Sequence, residues 1–82
     1  MTALRALKGL GPASERMLAE VDIADVETLR EVGAVDAYRR LQFRFDHVSL
    51  NALYAIAAGL DGREWRDLTA TEREALRRSV KG

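Results

Sequence analysis

Apolar residues recur along this chain at the three- and four-residue intervals typical of amphipathic helices, and strict alternation of apolar and polar residues persists nowhere. Six segments carry the helical pattern. They begin near Thr2, Pro12, Asp25, Ala34, Ser49 and Thr69. The sequence therefore predicts an all-α fold, a compact bundle of five to six short helices.

Local signals mark the ends of several of these helices. Asp25 is a favourable N-cap residue for the third helix, and Gly33 is a residue type that ends helices by adopting a positive φ angle. Ser49 can cap the fifth helix. Thr69 and Glu72 have the spacing of a capping box, which predicts the start of the last helix.

The segment Leu50–Leu60 is apolar on nearly every side, and Asp61-Gly62 stops it. A helix that is apolar all round is buried all round. We therefore expect this segment to be the central helix, with its alanines letting neighbouring elements approach closely.

The aromatic residues fall into two groups. At their helical positions Tyr38, Tyr54 and Trp65 are predicted to be core residues, although rings of this kind can also stack on nucleic-acid bases. Phe43 and Phe45 lie where the fourth helix fades, in residues 43–47. The sequence leaves open whether these two join the core or form an exposed apolar patch for a partner.

The chain has 82 residues, of which 48% are apolar and 32% charged, which suits one domain spanning residues 1–82. No apolar run approaches the roughly 20 residues needed to cross a bilayer, and the start of the chain lacks a signal-peptide pattern. The chain has no cysteine, which excludes disulfides and cysteine-ligated zinc. We expect a cytoplasmic protein with no membrane contact.

Basic and acidic residues number 13 each, so the net charge is zero, but the charges are segregated. Residues 20–36 are strongly acidic, whereas Arg39, Arg40 and Arg44 form the densest basic group. Arg40 and Arg44 share a face if the fourth helix extends that far. This group is either a site for a phosphate or an acidic partner, or an ordinary solvated face. The zero net charge argues against tight binding of duplex DNA.

The sharpest local motif is Leu-Lys-Gly-Leu-Gly-Pro-Ala-Ser at residues 7–14. It predicts a tight turn between a first helix over residues 2–8 and a second helix that starts at Pro12 and runs to about Glu20. Gly9 and Gly11 permit positive φ angles, and Leu10 between them is expected to point into the core. We expect these residues to form a helix-hairpin-helix-like element.

Backbone N–H groups at such a turn, together with the start of the following helix, form a donor site that suits a phosphate oxygen. The candidate contacts to a DNA phosphate are Lys8, Gly9, Leu10, Gly11, Ala13 and Ser14. A site of this kind reads the DNA backbone rather than its sequence. The alternative is that the motif is only a tight connection between helices, or a protein contact.

Catalytic and metal-binding chemistry finds no support in the sequence. His47 is the only histidine, and it has neither a partner nucleophile nor ligand spacing around it. We therefore predict no catalytic residue, no metal site, no cofactor and no small-molecule substrate.

Several segments, taken in order, resemble one known family. They are residues 7–14, 21–23, 28–35, 37–41 and 49–56, with Trp65 and Leu68. Together they resemble the C-terminal domain of TfoX, also called Sxy, over nearly the whole chain. The resemblance implies a helical domain with a helix-hairpin-helix-like element. It also implies kinship with bacterial regulators of natural competence and DNA transformation, which act through gene regulation. Those regulators usually carry another, N-terminal domain, whereas this sequence begins directly before the hairpin.

The sequence leaves two functions open. The first is a DNA-associated accessory domain whose binding is weak, salt-sensitive and independent of sequence. The second is a protein-interaction module, acting as a homodimer or as the partner of a transcription regulator. A basic concavity around the hairpin favours the first function, and a neutral or acidic one favours the second.

Overall fold

The computed structural model describes residues 1–81, and this part of the chain forms five α-helices and two short 3₁₀ turns. The helices are α1 (Pro12–Glu20), α2 (Val26–Val32), α3 (Ala34–Arg44), α4 (Leu50–Leu60) and α5 (Ala70–Lys81). The first 3₁₀ turn spans Leu4–Ala6 and the second spans Trp65–Asp67. The predicted all-α fold is confirmed.

The junction between α2 and α3 forms as the sequence predicts. The Asp25 carboxylate accepts a hydrogen bond of 2.7 Å from the Thr28 N–H, which caps α2 and lowers the pKa of Asp25 below its ordinary value. Gly33 has a φ of 86° and a ψ of 157°, ends α2 and at the same time begins α3. One residue therefore makes the whole connection between the two helices.

The predicted first helix, over residues 2–8, is wrong: only the single 3₁₀ turn forms there. Long-range contacts hold Thr2 and Ala3 in an extended conformation. The Thr2 N–H donates to the Glu27 carboxylate at 2.8 Å, the Val26 N–H donates to the Thr2 carbonyl at 2.9 Å, and Ala3 forms an isolated bridge with Asp25. Because no α-helix precedes the turn, the helix-hairpin-helix-like element is not confirmed.

Two hydrophobic clusters fill the interior. The first contains the buried residues Leu4, Leu10, Leu18, Ile23, Val26, Leu29, Ala37, Leu41 and Ile56. The second contains Tyr38, Leu53, Tyr54, Ala58 and Leu68, with Leu76 and Val80 of α5 packed against it. Both α3 and α4 contribute to each cluster, so α4 is central, as its apolar sequence predicts.

The start of α5 is fastened by the predicted capping box and by one arginine. The Glu72 N–H donates to the Thr69 hydroxyl at 3.1 Å, and the Thr69 N–H donates to the Glu72 carboxylate at 2.9 Å. The Arg63 guanidinium donates to both oxygens of the same carboxylate, at 3.2 and 2.5 Å. These bonds lower the pKa of Glu72 to about 2.

The capping box gives a direct test of how α5 is held. We expect Thr69→Ala to lower the free energy of unfolding by about 1 kcal/mol, because the Glu72 N–H loses its acceptor. Thr71→Ala is the matched control, since Thr71 is exposed on the same helix. Urea denaturation of both variants measures the difference, and equal stabilities would contradict this account of the helix start.

The Glu72 carboxylate also predicts a pH dependence. Its pKa falls from an ordinary 4.5 to about 2 on folding, so its contribution to stability is complete above pH 4.5 and is lost as the pH falls toward 2. Glu72→Gln keeps the capping hydrogen bond but removes the charge. We expect the wild-type and Glu72→Gln unfolding curves to converge over this pH range. A stability difference that does not change with pH would show that the Arg63 pairing contributes nothing.

Candidate binding surfaces

The turn at residues 8–11 connects the first 3₁₀ turn to α1. Gly9 has a φ of 81°, which favours glycine, whereas Gly11 is extended at φ −99° and ψ −175°, so only Gly9 uses a positive φ. The Leu10 N–H donates to the Leu7 carbonyl at 3.3 Å. The Leu10 side chain is buried, which confirms that it points into the core and anchors the turn.

The backbone of this turn lies against α4 at Gly59. A Cβ atom at Gly59 would stand 3.0 Å from the Lys8 carbonyl oxygen and 3.4 Å from the Leu7 Cβ atom. The turn therefore approaches α4 more closely than a side chain would allow. This close approach, which the sequence motif alone does not reveal, fixes the inner side of the turn.

The candidate phosphate contacts face different environments. Lys8 and Ala13 are exposed, whereas Ser14 is half-buried and borders a small cavity together with Met17 and Leu41. Among residues 1–81, no side chain caps the start of α1, so the N–H groups of its first turn keep the donor geometry typical of anion sites.

The first turn of α1, which holds these donors, also carries a carboxylate of the chain itself. Glu15 lies in the first turn of α1 and accepts a hydrogen bond of 2.7 Å from the Arg5 guanidinium. This bond lowers the pKa of Glu15 below its ordinary value. Arg5 is thus neutralised by Glu15, and Lys8 is the basic side chain of the turn itself.

The three arginines of α3 do not act as one patch. Arg39 donates to the Ser79 carbonyl at 2.6 Å, near the end of α5, and lies 3.7 Å from the Asp36 carboxylate. Arg44 pairs with Glu20 of α1 at 3.0 Å. The helix α3 extends through Arg44, so the four-residue spacing places Arg40 and Arg44 on the same side of it. Arg44, however, is already paired.

The outward side of α3 carries Arg40 and Phe43, three residues apart. Phe43 is 96% exposed, and Arg40 is exposed and forms no ion pair within residues 1–81. Phe45 behaves differently: it is half-buried against the first cluster, and the Arg44 guanidinium lies 5.0 Å from its ring centroid. Of the two phenylalanines that the sequence left open, one joins the core and the other forms the exposed apolar position.

A second basic surface, on α5, was not anticipated from the sequence. Arg73, Arg77 and Lys81 follow one another at four-residue intervals on this helix. Counting charges by segment hides them, because Glu72 and Glu74 offset half of the four positive charges of α5. A helical projection of α5 separates the two kinds of charge, and this signal was available in the sequence.

Trp65 borders this second basic surface. Its ring centroid lies 5.6 Å from the Arg73 guanidinium carbon, which also lies 5.9 Å from the Tyr54 ring. Tyr38 and Tyr54 are buried as predicted, but Trp65 is 38% exposed. The prediction that Trp65 is a core residue is therefore wrong, because the second 3₁₀ turn leaves its side chain at the surface.

Two further properties concern the described part of the chain only. Residues 1–81 contain no group of three or more histidine, cysteine, aspartate or glutamate side chains arranged to bind a metal ion. Among the helices of this range, none has both the length and the apolar character required to cross a membrane. His47 is exposed.

Residues 1–80 match the family model described as the TfoX C-terminal domain. A crystal structure of a Listeria monocytogenes protein of unknown function, in a tetragonal form, is 24% identical, with a TM-score of 0.88 over 95% of this chain and 96% of that chain. An uncharacterized protein from Listeria monocytogenes, in a triclinic form, is 26% identical, with a TM-score of 0.86 over 96% of this chain and 93% of that chain. No curated protein matches the chain.

The contact between the turn and α4 can be tested at Gly59. Alanine is ordinarily favoured over glycine inside a helix by about 1 kcal/mol. We expect Gly59→Ala instead to lower the free energy of unfolding by about 1 kcal/mol, since the new methyl group meets the Lys8 carbonyl, and Gly59→Val to lower it further. Thermal and urea unfolding measure both changes. A stabilised Gly59→Ala variant would show that the turn moves away without cost.

Proposed function

The chain belongs to the TfoX C-terminal domain family, and we propose that it is a non-catalytic regulatory module, linked to bacterial competence and DNA transformation, that acts by binding another protein. The observation that carries this proposal is the contrast between the basic residues already paired within the chain and the unpaired side chains on the outward side of α3. The proposal includes a cytoplasmic location, where gene regulation takes place.

The charges around the turn support a protein partner rather than DNA. A phosphate held at residues 8–14 would need uncompensated positive charge, because phosphate contacts dominate the affinity of DNA-binding proteins. Arg5 is neutralised by Glu15, and Arg44 is neutralised by Glu20. The acidic segment, residues 20–36, begins at the end of α1 and would repel a duplex that extended past the turn.

The outward side of α3 has the composition of a protein contact. Arginine and aromatic side chains are the residue types that most often dominate the energy of protein interfaces. Arg40 and Phe43 combine a free guanidinium with a nearly fully exposed ring. They suit a partner that offers an apolar pocket beside a carboxylate.

The same charges disfavour pairing of two copies through α3. A two-fold axis near the middle of the outward side would bring Arg40 of one copy close to Arg40 of the other. Like charges placed together destabilise such an interface. A different protein is therefore the better partner, and a homodimer is the competing outcome of the test.

Site-specific photo-crosslinking in the native host tests this proposal. A photoreactive phenylalanine analogue is placed at position 43 and, as the matched control, at exposed Gln42 on a different side of α3. We expect an adduct with another protein from position 43, its loss on Arg40→Glu, and little adduct from position 42. Adducts that form equally at both positions, or only with a second copy of the chain, would contradict the proposal.

A second arm measures function. We expect Phe43→Ser combined with Arg40→Glu to reduce the transformation frequency of the host at unchanged protein level, and Gln42→Ser to leave it unchanged. The alternative function, weak and sequence-independent DNA contact at the turn, predicts that Lys8→Glu abolishes duplex binding at about 50 mM salt. We expect Lys8→Glu to have no effect on duplex binding.

A further inference from the structure

The surface that the proposed function leaves unused is the basic stripe of α5, defined by Arg73, Arg77 and Lys81. Four residues of helix correspond to a rise of about 6 Å, so these side chains form an evenly spaced row along one side of α5. Arg66, on the second 3₁₀ turn, is an exposed basic residue next to Trp65 in the sequence. Within residues 1–81, neither Arg66 nor Arg77 forms an ion pair.

The two carboxylates of α5 pair with arginines outside this stripe. Glu72 binds Arg63, and Glu74 pairs with Arg78 at 2.9 Å. The acidic helix α2 packs on α3, whereas α5 packs on α3 and α4. Within residues 1–81, no member of the basic stripe forms an ion pair.

Arg73 connects the stripe to Trp65. Its guanidinium is oriented by the Tyr54 and Trp65 rings rather than by a carboxylate, and its Nε atom is buried with no hydrogen-bond partner in the described residues. Stacking of this kind leaves the positive charge uncompensated. It also fixes the position of the Trp65 ring at the end of the stripe.

The backbone beneath Trp65 is held as well. Glu64 and Asp67 form a reciprocal capping box around the second 3₁₀ turn, and the Leu68 N–H donates to the Trp65 carbonyl at 3.2 Å. Leu68 is buried in the second cluster. A large ring that is 38% exposed is therefore presented on a rigid support, next to a row of positive charges.

We propose that Trp65 and the basic stripe of α5 bind single-stranded nucleic acid, with a base stacked on Trp65 and successive phosphates on Arg77 and Lys81. An evenly spaced row of cations matches a repeating anion, and a fixed, exposed ring matches a base with a free face. A duplex keeps the faces of its bases stacked on one another, so no base face is available to stack on Trp65. An acidic protein segment would match the charges but would leave the ring unused.

This surface is independent of the proposed protein contact. It is built from α5 and the second 3₁₀ turn, whereas the protein contact is proposed for Arg40 and Phe43 on the outward side of α3. A variant can therefore remove one interaction and keep the other. Failure of either proposal leaves the other unaffected.

The test uses the full chain, and Trp65, its only tryptophan, is the reporter. Fluorescence anisotropy of a labelled oligothymidylate of about 15 nucleotides measures affinity. This length is of the order of one single-strand binding site. Quenching of Trp65 emission measures stacking. With two phosphates neutralised, by Arg77 and Lys81, the plot of log affinity against log salt should have a slope of about −1.4, since each contributes about −0.7 on a single strand. We expect quenching by the oligonucleotide and weaker binding to a duplex of equal length.

Surface variants separate this proposal from general attraction of charge. We expect Arg77→Glu and Lys81→Glu each to weaken binding and to reduce the magnitude of the salt slope by about 0.7, the contribution of one phosphate contact on a single strand. Arg40→Glu, on the outward side of α3, is the matched control and should change little, because Arg40 is exposed and lies outside the proposed surface. Trp65→Leu should weaken binding about fivefold or more while leaving the salt slope unchanged, because stacking carries no counterion release. Circular dichroism and melting confirm that each variant is folded.

Three results would overturn the proposal. The first is binding that Arg77→Glu and Arg40→Glu weaken equally. The second is absence of Trp65 quenching at oligonucleotide concentrations that saturate the anisotropy. The third is equal affinity for the duplex or for polyglutamate of matched charge, which would assign the stripe to non-specific attraction of anions or to an acidic protein.

Discussion

Leu53 and Ile56 lie three residues apart on α4, yet they belong to different hydrophobic clusters, and the rest of the molecule depends on this division. Tyr38 and Leu41 divide α3 in the same way. The helices α3 and α4 therefore pack together between the two clusters, with α1, α2 and the turn on one side and α5 on the other. Neither side can bury its apolar residues without the other, because α3 and α4 supply three of the nine buried residues of the first cluster and four of the five of the second.

The sequence predicts most of the helices because their ends are determined locally. Asp25, Gly33 and the pair Thr69–Glu72 act within one helical turn of themselves, so a pattern read along the chain is sufficient. The helix predicted over residues 2–8 fails for the opposite reason. That segment has no cap, is too short to be stable alone, and finds better hydrogen bonds with residues 25–27, which are remote in sequence.

The candidate surfaces are less predictable than the fold because they depend on which charges remain free. The sequence identifies Arg39, Arg40 and Arg44 as the densest basic group. It does not reveal that Arg44 meets Glu20 or that Arg39 reaches the end of α5, because both contacts join distant residues. The exposure of Trp65 is equally hidden, since it depends on the path of the chain between α4 and α5. The sequence identifies the charged residues, but only the structure shows which of them form ion pairs.

The single-residue joint at Gly33 has a consequence for how the chain tolerates changes in length. With α2 ending and α3 beginning at one glycine, the direction of α3 relative to α2 is set by a single pair of backbone angles, which other residues rarely adopt. One added residue at this joint would rotate α3 relative to α2 and separate the α3–α4 pair from the rest of the first cluster. An insertion after Phe45, where the chain leaves α3 through an irregular segment, has room to be absorbed. Peptide tags or reporter segments therefore belong between Asp46 and His47, which are both exposed, rather than at Gly33.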